Sequence, residues 1–209
     1  FSAIPDKPKP EKVFPRESDI TSETRVQEYD PNIQIPAIFL NYRTPPMQSR
    51  EARVLDLIST YLSTGKSSKL YKKLVDEQKI ALEVQAVSLP LEEYGIYAIL
   101  ALPLGDTPLD QLKTEIDEEI VALKSDLISE KDYQKLQNIY ENNFVNSNAS
   151  IQGVATSLSQ YYLFYNDTNL INSSIEIYKS ITREEIRDVA SKYLNDNQRV
   201  VMDYLPENK

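Results

Sequence analysis

Apolar and polar residues alternate along several short segments of the chain, which is the period of a strand with one buried face. The first segment is largely polar, whereas the fourth is apolar on both sides, as an interior strand would be. The residues PLEEYG between the third and fourth segments have the length of a hairpin turn. The predicted strands cover residues 24–30, 34–43, 80–89, 95–104 and 199–205.

The alternation also predicts which side chains of these strands are buried. The third strand would bury Leu82 and expose Glu83. The last strand would bury Val200 on one face and carry Arg199 and Asp203 on the other. With the helices below, we expect a core that includes Val84, Leu100, Leu112, Ile116, Leu136 and Val200.

Longer segments repeat apolar residues every three or four positions, as amphipathic helices do. Thr182 and Glu185 have the spacing of a capping box at the start of the last one. The predicted helices cover residues 49–63, 67–78, 109–123, a segment that begins at Ser129, 153–165 and 183–194. Strands in pairs and helices in blocks predict an α+β fold, with a mostly antiparallel sheet covered on one face by helices.

The start of the chain has a different composition from the rest. Residues 1–22 contain four prolines and no apolar periodicity, which is typical of an extended linker. We therefore predict a proline-rich linker over 1–22 and one folded domain over 23–209.

The segment LSTGKSSKLYKKL contains Gly65, Lys66 and Ser67, which match the end of a phosphate-binding loop. That loop requires glycine where this chain has Thr60, and it follows a strand, whereas the residues before Gly65 have helical spacing. The pattern favours a joint between two helices instead. Gly65 would end the first helix, and Ser67 or Ser68 would cap the second.

Composition excludes several kinds of chemistry. The chain has no histidine and no cysteine, so it cannot form a Ser-His-Asp triad, a histidine- or thiolate-ligated zinc site or a cysteine nucleophile. Its carboxylate clusters lack the spacing of a calcium-binding loop, and no metal site or cofactor is predicted. No motif supports an independent enzyme activity.

Charge and hydropathy limit the partners. The net charge of −9 disfavours nucleic acid, which needs clustered lysine and arginine. No apolar run approaches the roughly 18 residues that span a bilayer. The basic segment KSSKLYKKL leaves membrane-surface binding open as an alternative, although a solvated helix face is the favoured interpretation.

The ordered series of these features over about 23–207 resembles one family, the pitrilysin/insulinase zinc peptidases with their mitochondrial processing peptidase relatives. The resemblance is to the C-terminal, non-catalytic half of the duplicated module in that family. The segments that carry it are YRTP (42–45), GKSSKLYKKLVDEQKIALEVQA (65–86), GIYAI (95–99) and SITREEIRDVASKYL (180–194). The proline-rich leader is similar to the linker that follows the catalytic half.

The resemblance implies where substrate and zinc would bind. Zinc is expected only in a homologous partner domain, because the family's His-x-x-Glu-His motif cannot exist in this chain. The arginine that pairs with a substrate-binding tyrosine is also missing, since no arginine lies between Arg53 and Arg183. We expect weak binding of extended peptides, with candidate residues Gly65, Lys66, Ser67, Ser68 and Tyr97.

The resemblance also implies a function for the whole domain. It would be the non-catalytic half of a zinc protease, and it would close a peptide-binding chamber opposite a zinc-bearing homologous domain or subunit. The alternative is a structural or assembly subunit of a larger complex, with no role in proteolysis.

Overall fold

The computed structural model describes residue 7 and residues 18–207. Most of the predicted linker 1–22 therefore lies outside the described residues. Its described end, 18–22, forms neither helix nor strand.

Five strands form one sheet in the order β1-β5-β2-β4-β3. β1 pairs with β5 in parallel, and every other neighbouring pair is antiparallel. The predicted α+β class is confirmed. The sheet is mixed because the polar first strand, at its edge, runs parallel to the last strand. The strands are β1 (Thr24–Asp30), β2 (Ala37–Thr44), β3 (Ala81–Leu89), β4 (Gly95–Pro103) and β5 (Arg199–Pro206).

Helices pack against one face of this sheet. The predicted capping box is confirmed, because the Thr182 hydroxyl accepts from the Glu185 amide and the Glu185 carboxylate accepts from the Thr182 amide. The α-helices are α1 (Arg50–Ser63), α2 (Leu109–Ser125), α3 (Glu130–Ser147), α4 (Ile151–Gln160), α5 (Leu170–Lys179) and α6 (Arg183–Tyr193). Two π-helical segments cover Tyr71–Glu77 and Tyr161–Tyr165, and a 3-10 turn covers Asp196–Gln198.

The hydrophobic core lies between the helices and the sheet. Four of the predicted core residues, Val84, Leu112, Ile116 and Leu136, are buried there. They pack with fully buried residues of β2, α1 and the joint that follows α1, among them Leu40, Leu55, Ile58, Leu62, Leu70 and Leu74. The buried apolar side chains of the sheet and the helices therefore form one continuous core.

Two predicted core residues are on the other side of the sheet. Leu100 and Val200 are only half-buried, whereas their neighbours Ile99 and Val201 are fully buried against the helices. The predicted faces of β5 were therefore wrong: its charged residues point into the core, where other strands and α2 supply partners of opposite charge.

The predicted faces of β3 were wrong at its start. The register of β3 against β4 shifts between Ala81 and Glu83, as a β-bulge does. Because of this shift Ala81 is buried, while Leu82 remains 45% exposed. Beyond the bulge the predicted alternation is correct.

Candidate functional site

The joint between α1 and the next helix is built around a left-handed glycine. Gly65 has φ of +78°, a conformation that glycine adopts without the steric cost of a Cβ. Ser68 directly precedes the helix that begins at Lys69, as predicted for a cap, and its carbonyl accepts from the Lys72 amide at 3.0 Å. Its hydroxyl donates to the Gly65 carbonyl at 2.7 Å. The buried Ser68 side chain thus stabilises the turn through this local hydrogen bond.

The outer part of the joint is accessible. Gly65, Lys66 and Ser67 are all exposed to solvent. The Ser67 hydroxyl accepts from the Lys135 ammonium of α3 at 2.7 Å, which fastens the joint to the helix layer. A peptide could therefore reach three of the four predicted residues but not Ser68.

Tyr97 lies on β4 in the core beneath the helices. Its side chain has no exposed surface, and its ring packs edge-on to that of Tyr42 with centroids 6.5 Å apart. Its hydroxyl has no hydrogen-bond partner among the described residues, and burial raises the pKa of Tyr97 well above its ordinary value. The structure therefore does not bring Tyr97 to the surface that carries the joint.

The face of the sheet that points away from the helices is apolar along its middle. We call it the open face. Phe39 of β2 is flanked in register by Leu100 on one side and Met202 on the other, and its ring meets that of Tyr204 edge-on at 6.2 Å. Toward β3 the open face continues into exposed residues, namely Val87, Leu89 and Ile96. Apolar residues thus occur on this face in four strands, with Gln85 of β3 in register with Leu100.

Two cavities adjoin one end of the open face. One of about 340 Å³ is formed by strand residues together with Ile20 and Tyr94. The other, of about 550 Å³, lies beside the described residues that precede β1. Arg43 separates them: its guanidinium lies 5.4 Å from the centre of the Tyr94 ring and donates to the Ser18 carbonyl at 2.8 Å. The chain that enters β1 therefore runs along the rim of the open face.

A buried arginine holds the first and last strands to α2. Arg199 of β5 is only 1% exposed. It donates to Asp117 of α2 at 2.9 Å, to Glu23 at 2.7 Å and to the Tyr42 hydroxyl at 2.9 Å. Burial alone lowers the pKa of Arg199, but its hydrogen bonds to Asp117 and Tyr42 outweigh that effect and raise the pKa, so the guanidinium stays charged. Burial raises the pKa of the Tyr42 hydroxyl to about 12, so Tyr42 remains a neutral phenol.

A second arginine pair involves Asp203, four residues further along β5 than Arg199. Arg25 of β1 donates through two nitrogens to the two carboxylate oxygens of Asp203, each at 2.9 Å. It also reaches Asp110 in the first turn of α2. These contacts raise the pKa of Arg25, chiefly through the hydrogen bonds to Asp203. The sequence prediction missed both pairs, although two charges of opposite sign four residues apart on one strand were a visible signal.

The described residues contain no cluster of three or more histidine, cysteine, aspartate or glutamate side chains that could hold a metal ion. The donor set that zinc prefers is absent from the whole sequence. In the part of the chain that the structure describes, residue 7 and residues 18–207, no helix is long and apolar enough to cross a membrane.

Comparison with known proteins gives one family. Residues 1–140 match the family model described as the peptidase M16 inactive domain. A curated relative, zinc protease PqqE of Helicobacter pylori, is 24% identical over 166 residues, which are 79% of this chain and 37% of that protein.

Solved structures show the same fold. A protease from Helicobacter pylori superposes with a TM-score of 0.84 and 22% identity, over 94% of this chain and 48% of that one. A peptidase M16 inactive domain from Pseudomonas fluorescens gives a TM-score of 0.80 and 14% identity, over 99% of this chain and 48% of that one. This chain therefore spans half or less of the length of these relatives.

Proposed function

Because the chain belongs to the family of the peptidase M16 inactive domain, we propose that it closes a peptide-binding chamber opposite a homologous, zinc-bearing peptidase domain. The partner domain would lie on the same polypeptide or on a second subunit. The lengths of the relatives support this proposal, since each holds at least as much chain again as the part that matches.

The open face is the observation that carries the proposal. A sheet covered by helices on one side normally presents polar residues to water on the other. Here the other side presents Phe39, Leu100 and Met202 in adjacent strands. An apolar surface of this kind marks a place where another molecule binds. An extended peptide in a closed chamber would contact such a wall without specific polar anchors.

The chemistry of cleavage belongs to the partner in this proposal. The residues of this chain do not fit a zinc ion, because it has neither histidine nor cysteine and its described carboxylates form no metal cluster. The chain would contribute confinement, since an enclosed peptide meets the catalytic site more often than a free one.

Peptides would bind to this chain alone only weakly. Among the described residues β1 pairs only with β5, so its other edge offers backbone groups for strand addition. The opposite edge is partly blocked, because the Ser63 hydroxyl accepts from the Ala86 amide at 2.8 Å and donates to the Ala86 carbonyl. With no accessible arginine–tyrosine anchor at Tyr97, we expect Kd no tighter than about 1 mM, or about −4 kcal/mol.

The proposal is tested by adding this chain to the separate zinc-bearing half and measuring cleavage of an unstructured peptide. We expect the chain alone to be inactive and the mixture to cleave faster than the zinc-bearing half alone. If the two associate and the rate does not change, chamber closure is wrong and the structural or assembly alternative gains support. If the chain alone binds the peptide with micromolar Kd, a recognition site exists, and Gly65, Lys66 and Ser67 are the residues to change first.

A further inference from the structure

One long segment of this chain has no charge at all. Charged residues make up 26% of the sequence, yet none occurs between Glu141 and Asp167. We call residues 142–166 the uncharged arm. Protein surfaces usually intersperse charges of both signs, and the centre of an interface is the part of a surface from which charged residues are depleted.

The structure shows that the uncharged arm is not part of the core. α4 has no buried residue, and its main contacts are with the π-helical segment that continues it. Large apolar side chains project from the arm into solvent: Ile151 is 92% exposed, Leu163 70%, Tyr162 66% and Val145 56%. Val154 and Leu158 of α4 are partly buried, so the apolar surface that the arm presents outward consists of these four exposed side chains.

The arm is nevertheless fixed to the domain at its far end. The Tyr165 hydroxyl donates to the Met47 carbonyl at 3.1 Å, and the Gln48 amide donates to the Phe164 carbonyl at 3.1 Å. The hydroxyls of Tyr161 and Ser174 share a hydrogen bond of 2.8 Å. The apolar residues are therefore held in place at the surface, which lowers the entropy cost of docking.

The apolar surface extends past the arm to the turn between β3 and β4. A cavity of about 510 Å³ lies between Phe164 and that turn, with Met47 and Leu91 in its lining. Leu91 of the turn and Leu89 at the end of β3 are each about half exposed. An apolar side chain of a partner would fit this cavity, with the arm on one side of it.

We propose that the uncharged arm, together with the β3–β4 turn, is the surface on which the zinc-bearing half docks. The inference rests on the proposed function and names the face that it uses. The relatives have as much chain again beside the matching part, so a homologous half is the partner that this chain would meet first. If that half lies on the same polypeptide, even a modest apolar contact gives stable packing, because the linker keeps the two halves at a high effective concentration relative to each other.

Two other occupants fit the surface less well. A second copy of this chain carries the same net charge of −9, which opposes self-association. A lipid surface is attracted by lysine and arginine on the polar side of an amphipathic helix, and the arm has neither.

The test measures binding of the 209-residue chain to the zinc-bearing half by sedimentation velocity, with a matched pair of variants. Val145→Glu places a charge on the arm, and Val121→Glu places the same charge on α2 at a site of equal exposure, 56% against 57%. We expect Val145→Glu and Leu163→Glu each to weaken binding at least tenfold and Val121→Glu to change Kd less than twofold. Unchanged circular dichroism and melting temperature would show that all three variants are folded.

Each other outcome overturns the inference in a distinct way. If the halves associate and all variants bind like the wild type, the docking face is elsewhere and the proposed function is unaffected. If the wild-type chain forms a dimer by itself that Leu163→Glu abolishes, the occupant is a second copy. If the chain instead co-sediments with phosphatidylcholine vesicles through Leu163, the occupant is a lipid surface. If the wild type neither binds the zinc-bearing half nor alters its activity, the proposed function fails as well.

Discussion

Arg199 shows how one residue can fix the position of several elements. A guanidinium removed from water is stable only when its hydrogen bonds are satisfied, and Asp117, Glu23 and Tyr42 satisfy them. These partners come from α2, from the residues before β1 and from β2. The arginine thus stabilises one arrangement of the edge of the sheet, because any other arrangement would leave a buried charge unpaired.

The first prediction compares two aspartates of α2. Asp117→Asn should destabilise the protein by about 3 kcal/mol, because it removes the charge opposite a buried arginine. Asp110→Asn should cost less than about 1 kcal/mol, since Asp110 is largely exposed and pairs with Arg25 at the surface. Urea unfolding of both variants measures the difference. Equal losses would show that the burial of Arg199 has no energetic consequence.

The second prediction concerns acid. Burial alone raises the pKa of Asp117, but the hydrogen bonds and positive charges of Arg199 and Lys113 together outweigh this and leave the pKa below the ordinary 3.8. A carboxyl with a lowered pKa in the folded state adds stability that is present above its unfolded pKa and is lost as pH falls through the folded one. The difference in free energy of unfolding between wild type and Asp117→Asn should therefore be largest at neutral pH and become smaller below pH 3.8. Urea unfolding at neutral pH and below pH 3.8 measures this difference. If it stays constant with pH, the pKa of Asp117 is not lowered in the folded protein.

At the scale of elements, the period of each strand was predictable but its buried face was not. The segment RVVMDYL has apolar residues on both sides, so alternation alone does not choose between them. The choice depends on Arg25 and Asp117, which lie far away in sequence and pair with Asp203 and Arg199. The exposure of Leu82 has another cause, a β-bulge that no local sequence pattern predicts.

The residues of the joint and Tyr97 also show how far the sequence alone predicts the candidate site. The left-handed glycine was predictable, since glycine after a helical segment commonly ends it. The burial of Tyr97 was not, because β4 is apolar on both sides and its sequence does not tell which side meets the helices. α2 and α6 were easier to predict, since each has a single apolar stripe and α6 has its capping box, whereas α5 lies outside every predicted helix.

The third prediction uses the two sides of β4. Ile99→Asp should destabilise the protein by several kcal/mol, because it places an unpaired charge in the core. Leu100→Asp, one residue along, points to the open face and should cost about 1 kcal/mol. Thermal melting of both variants tests the assignment. A Leu100→Asp variant as unstable as Ile99→Asp would mean that the open face is covered.

At the scale of the whole molecule, the two faces of the sheet have different roles in the proposed function. One face packs against the helices and carries the arginine pairs, whose buried hydrogen bonds would keep the domain rigid. In that proposal the open face, which includes Phe39 and Leu100, would contact the peptide. A rigid wall matters for confinement, because a chamber that yields would admit folded proteins.

The last prediction follows from that rigidity. Pairing this chain with the zinc-bearing half should raise the ratio of cleavage rates between the unfolded and the folded form of one test protein. An extended chain can enter a closed chamber and lie along the open face, whereas a folded protein is excluded by size. The zinc-bearing half alone, with its site open to solvent, should discriminate less. Gel-based cleavage of a single protein in its native and its unfolded form, with and without this chain, measures both ratios. An unchanged ratio, in a mixture where the two halves are bound, would show that the domain does not enclose the substrate.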